Sequence, residues 1–297
     1  MSKKQANIPR LDICTLSDSR KDDLIISRLA DYLEEHQNLV FPHRHSFYHL
    51  VFFTKGAGSH TIDFQRFDVQ SFQIYFMAPG QVHSWDFEGE MQGYVVNFSG
   101  TFFQSFLLRP EYLESFPFLN GLTSDSVINL PSQYGTEVSD LFEKLIDQSI
   151  HQTVMQEDMI RILLLQIFIT LEQSHYNTPS QTSKSAQNTT IRNFSKLVEK
   201  NFLEMRLPGA YASLLNVTPN HLNALVKENL GKQAGEVIRE RILLEAKRLL
   251  VNRDLSVSEI AYRLNFNDNS YFTRFFRKYG GITPEAFREK SVQNQTS

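Results

Sequence analysis

The sequence predicts a multidomain chain: a small β-barrel or double-sheet roll with helices of its own, then an all-α part made of two helix-turn-helix units joined by a linker helix. Three observations carry this prediction. Between Phe41 and Phe98, short apolar and aromatic runs alternate with turn signals at close, regular spacing. Beyond about residue 190 the apolar residues recur only at helical spacing. Between these parts, His175 to Thr190 is polar and aperiodic, the composition of a flexible linker. The expected limits are 1–174 for the sheet-containing domain, 175–190 for the linker and 191–297 for the helical domain.

The elements follow in order. Phe47 to Phe53 reads as a strand ended by Lys55-Gly56-Ala57-Gly58; His60 to Phe64 and Phe72 to Met77 follow, the latter stopped by Pro79-Gly80. Val82 to Phe87 and Met91 to Phe98 complete the series. Glu137 to Ile150 then has helical spacing through Val138, Leu141, Phe142, Leu145 and Ile146. The next helix, Met155 to Leu171, is apolar on more than one face, which fits both its own core and a partner subunit. A homodimer is therefore expected.

In the C-terminal part, Ala212-Ser213-Leu214-Leu215-Asn216-Val217 is echoed by Ala261-Tyr262-Arg263-Leu264-Asn265-Phe266. Each copy is followed by a second helix, with Leu222, Leu225 and Val226 in the first and Phe272, Phe275 and Phe276 in the second. A small Ala lets the two helices cross closely, and an Asn sits in the turn, where it tolerates the left-handed conformation. Ser256-Val257-Ser258-Glu259 has the capping-box pattern, and Thr218-Pro219 and Thr283-Pro284 pair a cap with proline at the first helical position. Ala234 to Leu250 reads as the helix joining the two units.

Charge separates the same halves. Residues 189–297 carry 17 Lys+Arg against 11 Asp+Glu, whereas residues 1–188 carry 13 against 22, so only the C-terminal half suits a polyanion. Off the apolar stripes lie Asn220, His221, Asn223, Ala224 and Lys227 in the first copy, and Asn269, Ser270, Tyr271, Thr273, Arg274, Arg277 and Lys278 in the second. Polar helix faces are ordinarily just solvated. Here the whole unit recurs with basic character in both copies, and Asn and Arg are the side chains that read adenine and guanine edges. Double-stranded DNA is the expected partner. The residues expected to contact it are Asn220, His221, Asn223, Lys227, Asn269, Ser270, Thr273, Arg274, Arg277 and Lys278.

The stretch from Ser258-Glu259-Ile260-Ala261-Tyr262-Arg263-Leu264-Asn265-Phe266 through Tyr271-Phe272-Thr273-Arg274-Phe275-Phe276-Arg277-Lys278-Tyr279-Gly280 to Thr283-Pro284 resembles the signature of the AraC family of transcription regulators. Asn216-Val217-Thr218-Pro219-Asn220-His221-Leu222-Asn223 is similar to the family's first unit. The resemblance runs from about Lys196 to Lys290. It implies that the linker helix sets the recognition helices into successive major grooves, about 10 base pairs apart. Asn265 stands where the family usually has glycine. Ala224 stands where arginine is common, so the first unit is expected to read bases with fewer polar contacts.

Pro42-His43-Arg44-His45-Ser46-Phe47-Tyr48-His49, with Gly56 and Gly58, resembles the first motif of the cupin barrels, and Pro79-Gly80-Gln81-Val82-His83 the second. In an extended segment residues 43, 45 and 49 share one face. Two readings follow. In the preferred one the histidines hold no metal, the protein has no cofactor and is not an enzyme, and the barrel binds a small-molecule effector, with sugars a frequent class in such regulators. His43, His45, Tyr48, His83 and Trp85 would contact it, alongside the aromatics Phe52, Phe76 and Tyr94. The N-terminal arm, Ile8 to Thr15, would close the pocket. The alternative is a metal-dependent cupin enzyme with an appended DNA-binding domain, the His43/His45/His49/His83 cluster being its metal site. His49 stands where metal-binding cupins usually carry glutamate, which favours the first reading. A barrel serving dimerisation alone is a third.

Hydrophobic content of 41% and charged content of 21% fit a globular protein. The N-terminus lacks the apolar stretch of a secretory signal, and one cysteine, Cys14, allows no intrachain disulfide. A cytoplasmic protein with no membrane partner is expected. RNA polymerase is a candidate partner for an activator.

Overall fold

The computed structural model describes residues 9–16, 23–36, 41–104, 106–151, 154–176, 185–251 and 254–293. They belong to two compact units, one within Pro9–Gln181 and one within Thr182–Ser297.

The N-terminal unit contains β1 (Arg10–Leu11), α1 (Ile13–Leu16), β2 (Leu24–Arg28), α2 (Leu29–Glu35), β3 (His43–His45), β4 (Tyr48–Lys55), β5 (Gly58–Ile62), β6 (Gln65–Asp68), β7 (Gln73–Met77), β8 (Val82–Phe87), β9 (Gln92–Phe98), β10 (Val127–Asn129), α3 (Ser132–Ile150) and α4 (Gln156–Tyr176). The strands form two five-stranded sheets, ordered β1-β3-β8-β5-β6 and β10-β7-β4-β9-β2. All pairings are antiparallel except β1 on β3, where Leu11 sits opposite His45. The second sheet is buried on both faces. Val51, Phe53, Tyr75, Met77 and Val95 meet Ile62 and Trp85 of the first sheet. Leu50, Phe52, Ile74, Phe76, Tyr94, Val96 and Phe98 pack instead on α3 and α4. Burial on two faces explains why these strands read as continuous apolar runs rather than as an alternation.

The C-terminal unit contains α5 (Ser185–Asn201), α6 (Pro208–Leu214), α7 (Pro219–Leu230), α8 (Ala234–Leu250), α9 (Val257–Arg263), α10 (Asn269–Gly280) and α11 (Pro284–Gln293). One apolar core runs through it, with Phe194, Tyr211, Leu222, Val226, Ile238, Ala246, Ile260, Phe272 and Phe276 fully buried. Arg241 ties α8 to α5 with both Glu199 oxygens at 2.8 Å and lies 4.0 Å over the Phe202 ring.

Three features depart from expectation. The stretch read as a linker is partly helical: α4 runs to Tyr176 and α5 starts at Ser185, while 177–184 lie outside the described residues. Ser and Thr are weak helix formers, yet Ile191, Phe194 and Val198 dock on the core and carry the preceding turns into helix. Strands β1, β2, β6 and β10 and helix α2 were not expected; all are short, and they add edges or caps to a core made elsewhere. Of the arm, residues 9–16 are described, and they form β1 and α1.

Candidate functional site

The two helix-turn-helix units are built alike. In the first, α6 turns through Asn216 at φ 53° into α7; in the second, α9 turns through Asn265 at φ 58° into α10. Both asparagines are left-handed, the conformation that Asn bears better than a branched residue. Thr218 Oγ1 accepts from the His221 N–H at 3.2 Å, and Asp268 Oδ1 from the Tyr271 N–H at 2.6 Å. Helices α7 and α10 end alike too, on Gly231 and Gly281 at φ 70° and 81°, the usual left-handed stop. At α9 the Ser256–Glu259 capping box is complete, with bonds of 2.7 and 3.1 Å; the Ser256 side chain first, and its N–H second, hold the Glu259 carboxyl below its usual range.

The expected DNA contacts separate by exposure. Ser270, Thr273, Arg274 and Arg277 share one face of α10 at i, i+3, i+4 and i+7, opposite the buried Phe272 and Phe276. Asn269, Ser270, Arg274, Arg277 and Lys278 are exposed and Thr273 is half-buried. On α7, Asn220, His221, Ala224 and Lys227 are exposed. Asn223 differs: it is half-buried, and its Oδ1 accepts from the Ala234 N–H at 3.1 Å, pinning the start of α8 to α7. Reading adenine bidentately needs both amide atoms, so Asn223 positions helices in this conformation.

In the N-terminal unit five imidazoles converge between the sheets: His43, His45, His49, His60 and His83, each at most 2% exposed. His43 is paired with His83 across β3 and β8. His60 stacks on Trp85 with ring centroids 3.7 Å apart. Burial pushes His43 down to about 4 and His49 to about 3, and holds His45, His60 and His83 well below the usual histidine range. All five are neutral near pH 7, with one N–H each.

Their partners then decide the tautomers. His43 Nδ1 is 2.7 Å from the Phe41 carbonyl oxygen, which only accepts, so Nδ1 carries the proton and Nε2 is a bare lone pair. His49 Nδ1 donates to Asn97 Oδ1 at 2.5 Å, leaving its buried Nε2 bare and without a partner. His83 Nε2 faces His45 Nε2 at 2.7 Å, and His83 Nδ1 faces His60 Nε2 at 3.0 Å. His83 has one proton for two neighbours. Whichever way the chain His45–His83–His60 runs, one buried N–H lacks an acceptor, at His45 Nδ1 or at His60 Nδ1. Such a group costs about 1–3 kcal/mol.

The residues expected to hold an effector do not share one site. His43, His45, His83 and Trp85 lie between the sheets, but Tyr48 is on the opposite face of β4, stacked on Phe98 with centroids 4.9 Å apart. Phe52, Phe76 and Tyr94 likewise face the helices. Side chains alternate along a strand, so neighbouring aromatics fall into different cores. Tyr48 instead lines a cleft of about 250 Å³ with Phe103, Gln104, Leu113, Glu114 and Asn120.

Residues 31–168 match the family model of an AraC-like ligand binding domain, and residues 211–290 match that of a helix-turn-helix domain. The chain belongs to the AraC family of transcription regulators. It is 23% identical over 254 residues to the HTH-type transcriptional activator RhaR of Cronobacter sakazakii, covering 86% of this chain and 88% of that protein. It is 39% identical over 88 residues to the transcriptional regulatory protein YesN of Bacillus subtilis, covering 29% of this chain and 24% of that one. A third relative, the probable transcription factor PqrA of Proteus vulgaris, is 38% identical over 76 residues, covering 26% and 62%. As a member of this family the protein is an AraC-type DNA-binding regulator with a ligand-binding domain. Among the described residues no helix is long and apolar enough to cross a membrane.

One residue of this AraC-family chain was not anticipated. Arg206 donates through Nη2 to the carbonyls of Leu264 and Asn265, the latter at 2.8 Å, and lies 4.1 Å over the Phe266 ring. It clasps the turn of the second unit from a loop 58 residues away in sequence. No local pattern marks such an arginine, because its partners are backbone carbonyls brought close only by folding.

Proposed function

We propose that the protein is a homodimeric, sequence-specific transcription regulator of the cytoplasm that responds to a small-molecule effector and has no catalytic activity. Its domains would be 1–174 for sensing and dimerisation, 175–190 as connector and 191–297 for DNA. The observation that carries the reading is the matched pair α7 and α10. Each is capped, turned by a left-handed asparagine and stopped by a left-handed glycine, and each presents exposed polar residues opposite a buried apolar stripe. Arg274 and Arg277, with Asn269, Ser270 and Thr273, supply base readout from the second unit. Asn220 and His221 supply it from the first, and Lys227 and Lys278 neutralise phosphates.

Dimerisation is supported by α4, where Met159, Ile162 and Ile169 stay 39–49% exposed at the spacing of a two-helix seam. The cleft beside Tyr48 is the proposed effector site. Its volume, below the 300–1,000 Å³ usual for drug-sized ligands, suits a compact molecule, a small sugar included, and Glu114, Gln104 and Asn120 offer polar contacts. Relatives named as transcriptional activators support RNA polymerase as a partner. Selection of bound sequences from a random duplex library by the purified protein tests the reading. The expected result is a site with two conserved blocks about 10 base pairs apart; recovery of no shared sequence overturns it.

A further inference from the structure

The two helix-turn-helix units are bridged by a contact that lies outside the linker helix α8. We propose that Arg206 is a positioning residue that sets α10 against the first unit, so that the protein selects the spacing between two DNA blocks as well as their sequence. The inference rests on the proposed reading of DNA by α7 and α10, and Arg206 itself touches no base.

Arg206 is mounted on the first unit, in the loop between α5 and α6. Tyr211 of α6 is fully buried, its ring 5.7 Å from that of Phe194 on α5. Its hydroxyl donates to the carbonyl of Met205, the residue before Arg206, at 2.7 Å. The N–H groups of Glu204 and Met205 donate to the Asn201 carbonyl at 3.0 and 2.8 Å, which closes the loop onto the end of α5. The backbone that carries the arginine is thus held from both sides.

The guanidinium grips the turn of the second unit. Nη2 donates to the carbonyls of Leu264 and Asn265, and the group lies 4.1 Å over the Phe266 ring. Leu264 is the C-cap of α9, where the last carbonyls lack an intrahelical donor and a cation is favoured. In the reverse direction, Asn265 Nδ2 donates to the Leu203 carbonyl at 3.3 Å, a bond that glycine at this place could not make. Helix α10 starts four residues after Asn265, so the point from which it projects is tied to the first unit. The first turn differs: among the described residues no side chain donates to the carbonyls of Leu215 or Asn216.

Neighbouring base pairs are about 3.4 Å apart along the duplex and turned by about 35°. Adding or removing one between the blocks asks α10 to move by that much relative to α7. A hydrogen bond of 2.8 Å has less than about 1 Å of slack. With the clasp intact such a shift is resisted; without it the second unit can swivel on α8.

The test uses the full chain and the site selected from the random library, prepared as selected and with one base pair added or removed between the blocks. Fluorescence anisotropy gives Kd on each duplex, and the ratio of altered to selected measures spacing preference. A ratio taken on one preparation cancels any loss of folded protein. Arg206→Ala should lower it at least about tenfold and leave the salt slope unchanged. Arg206→Lys, which keeps the charge but not the planar fork, should recover part of the preference. Tyr211→Phe keeps every charge and frees only the mount, so it should lower the ratio in the same direction. It carries the test if circular dichroism finds Arg206→Ala unfolded. An unchanged ratio in the variant that carries the test, or a wild type that binds all three duplexes equally, would overturn the proposal. So would equal weakening of Arg206→Ala on all three with the salt slope lowered by about 0.9, the mark of a phosphate contact. A wild type that selects no shared sequence would instead overturn the reading of DNA, and this inference with it.

Discussion

Arg274→Ala is the substitution that best separates base reading from general attraction to DNA. Arg274 is exposed on the face of α10 that also carries Ser270, Thr273 and Arg277. Among the described residues it makes no hydrogen bond or ion pair with the rest of its unit. Truncation should therefore leave stability within about 0.5 kcal/mol, the ordinary range for an exposed site. Loss of a bidentate contact to guanine should cost about 1–3 kcal/mol at the selected site, roughly 5–150-fold in Kd. Lys278 lies in the last turn of α10, its Nζ 5.3 Å from the centroid of the Tyr279 ring, and is the residue proposed to meet the phosphate backbone. Lys278→Ala should weaken specific and scrambled duplexes alike and lower the salt slope by about 0.9. Fluorescence anisotropy on both duplexes across a range of salt concentrations distinguishes the two outcomes. Equal losses on both duplexes for Arg274→Ala, or no loss on either, would refute the assignment of α10 as a base-reading helix.

Other consequences follow from the same geometry. Asn265→Val forces a β-branched residue to φ 58°, so thermal melts should show a loss of about 1–3 kcal/mol, whereas Asn265→Gly should be nearly neutral. His43 and His49 are neutral when folded, at about 4 and about 3, but take up protons near 6.5 once unfolded. The unfolded chain thus binds more protons below about pH 6.5, and stability falls as pH drops toward 4, by up to about 1.4 kcal/mol per pH unit for each histidine. A Tm that stays flat over that window for the wild type would count against neutral buried imidazoles. Ile162→Glu with Ile169→Glu should convert a dimer to monomer in analytical ultracentrifugation without loss of helix; an unchanged dimer would place the interface elsewhere.

The C-terminal unit was legible because its signals are local. A capped start, an apolar period of 3.6 and an asparagine at the turn are all set within a few residues, and the structure places α7, α8, α9 and α10 where those signals put them. The bond from the Ala234 N–H to Asn223 Oδ1 carries no local signal, because the approach of Ala234 depends on how α8 packs on α7. Histidine parity along β3 and β4 was also readable, and His43, His45 and His49 do share one face.

The sequence by itself determined the two-unit plan, the helix-turn-helix repeat and the inward face of the early histidines, since each depends on spacing along the chain. Tertiary structure alone decided that His60 joins the cluster and that Tyr48 leaves it. Both faces of the second sheet are apolar, so alternation along a strand shows that Tyr48 and His49 diverge without showing which core either enters. That choice is made by the cross-strand pairing of His43 with His83 and by the stacking of His60 on Trp85, contacts between segments distant in the chain.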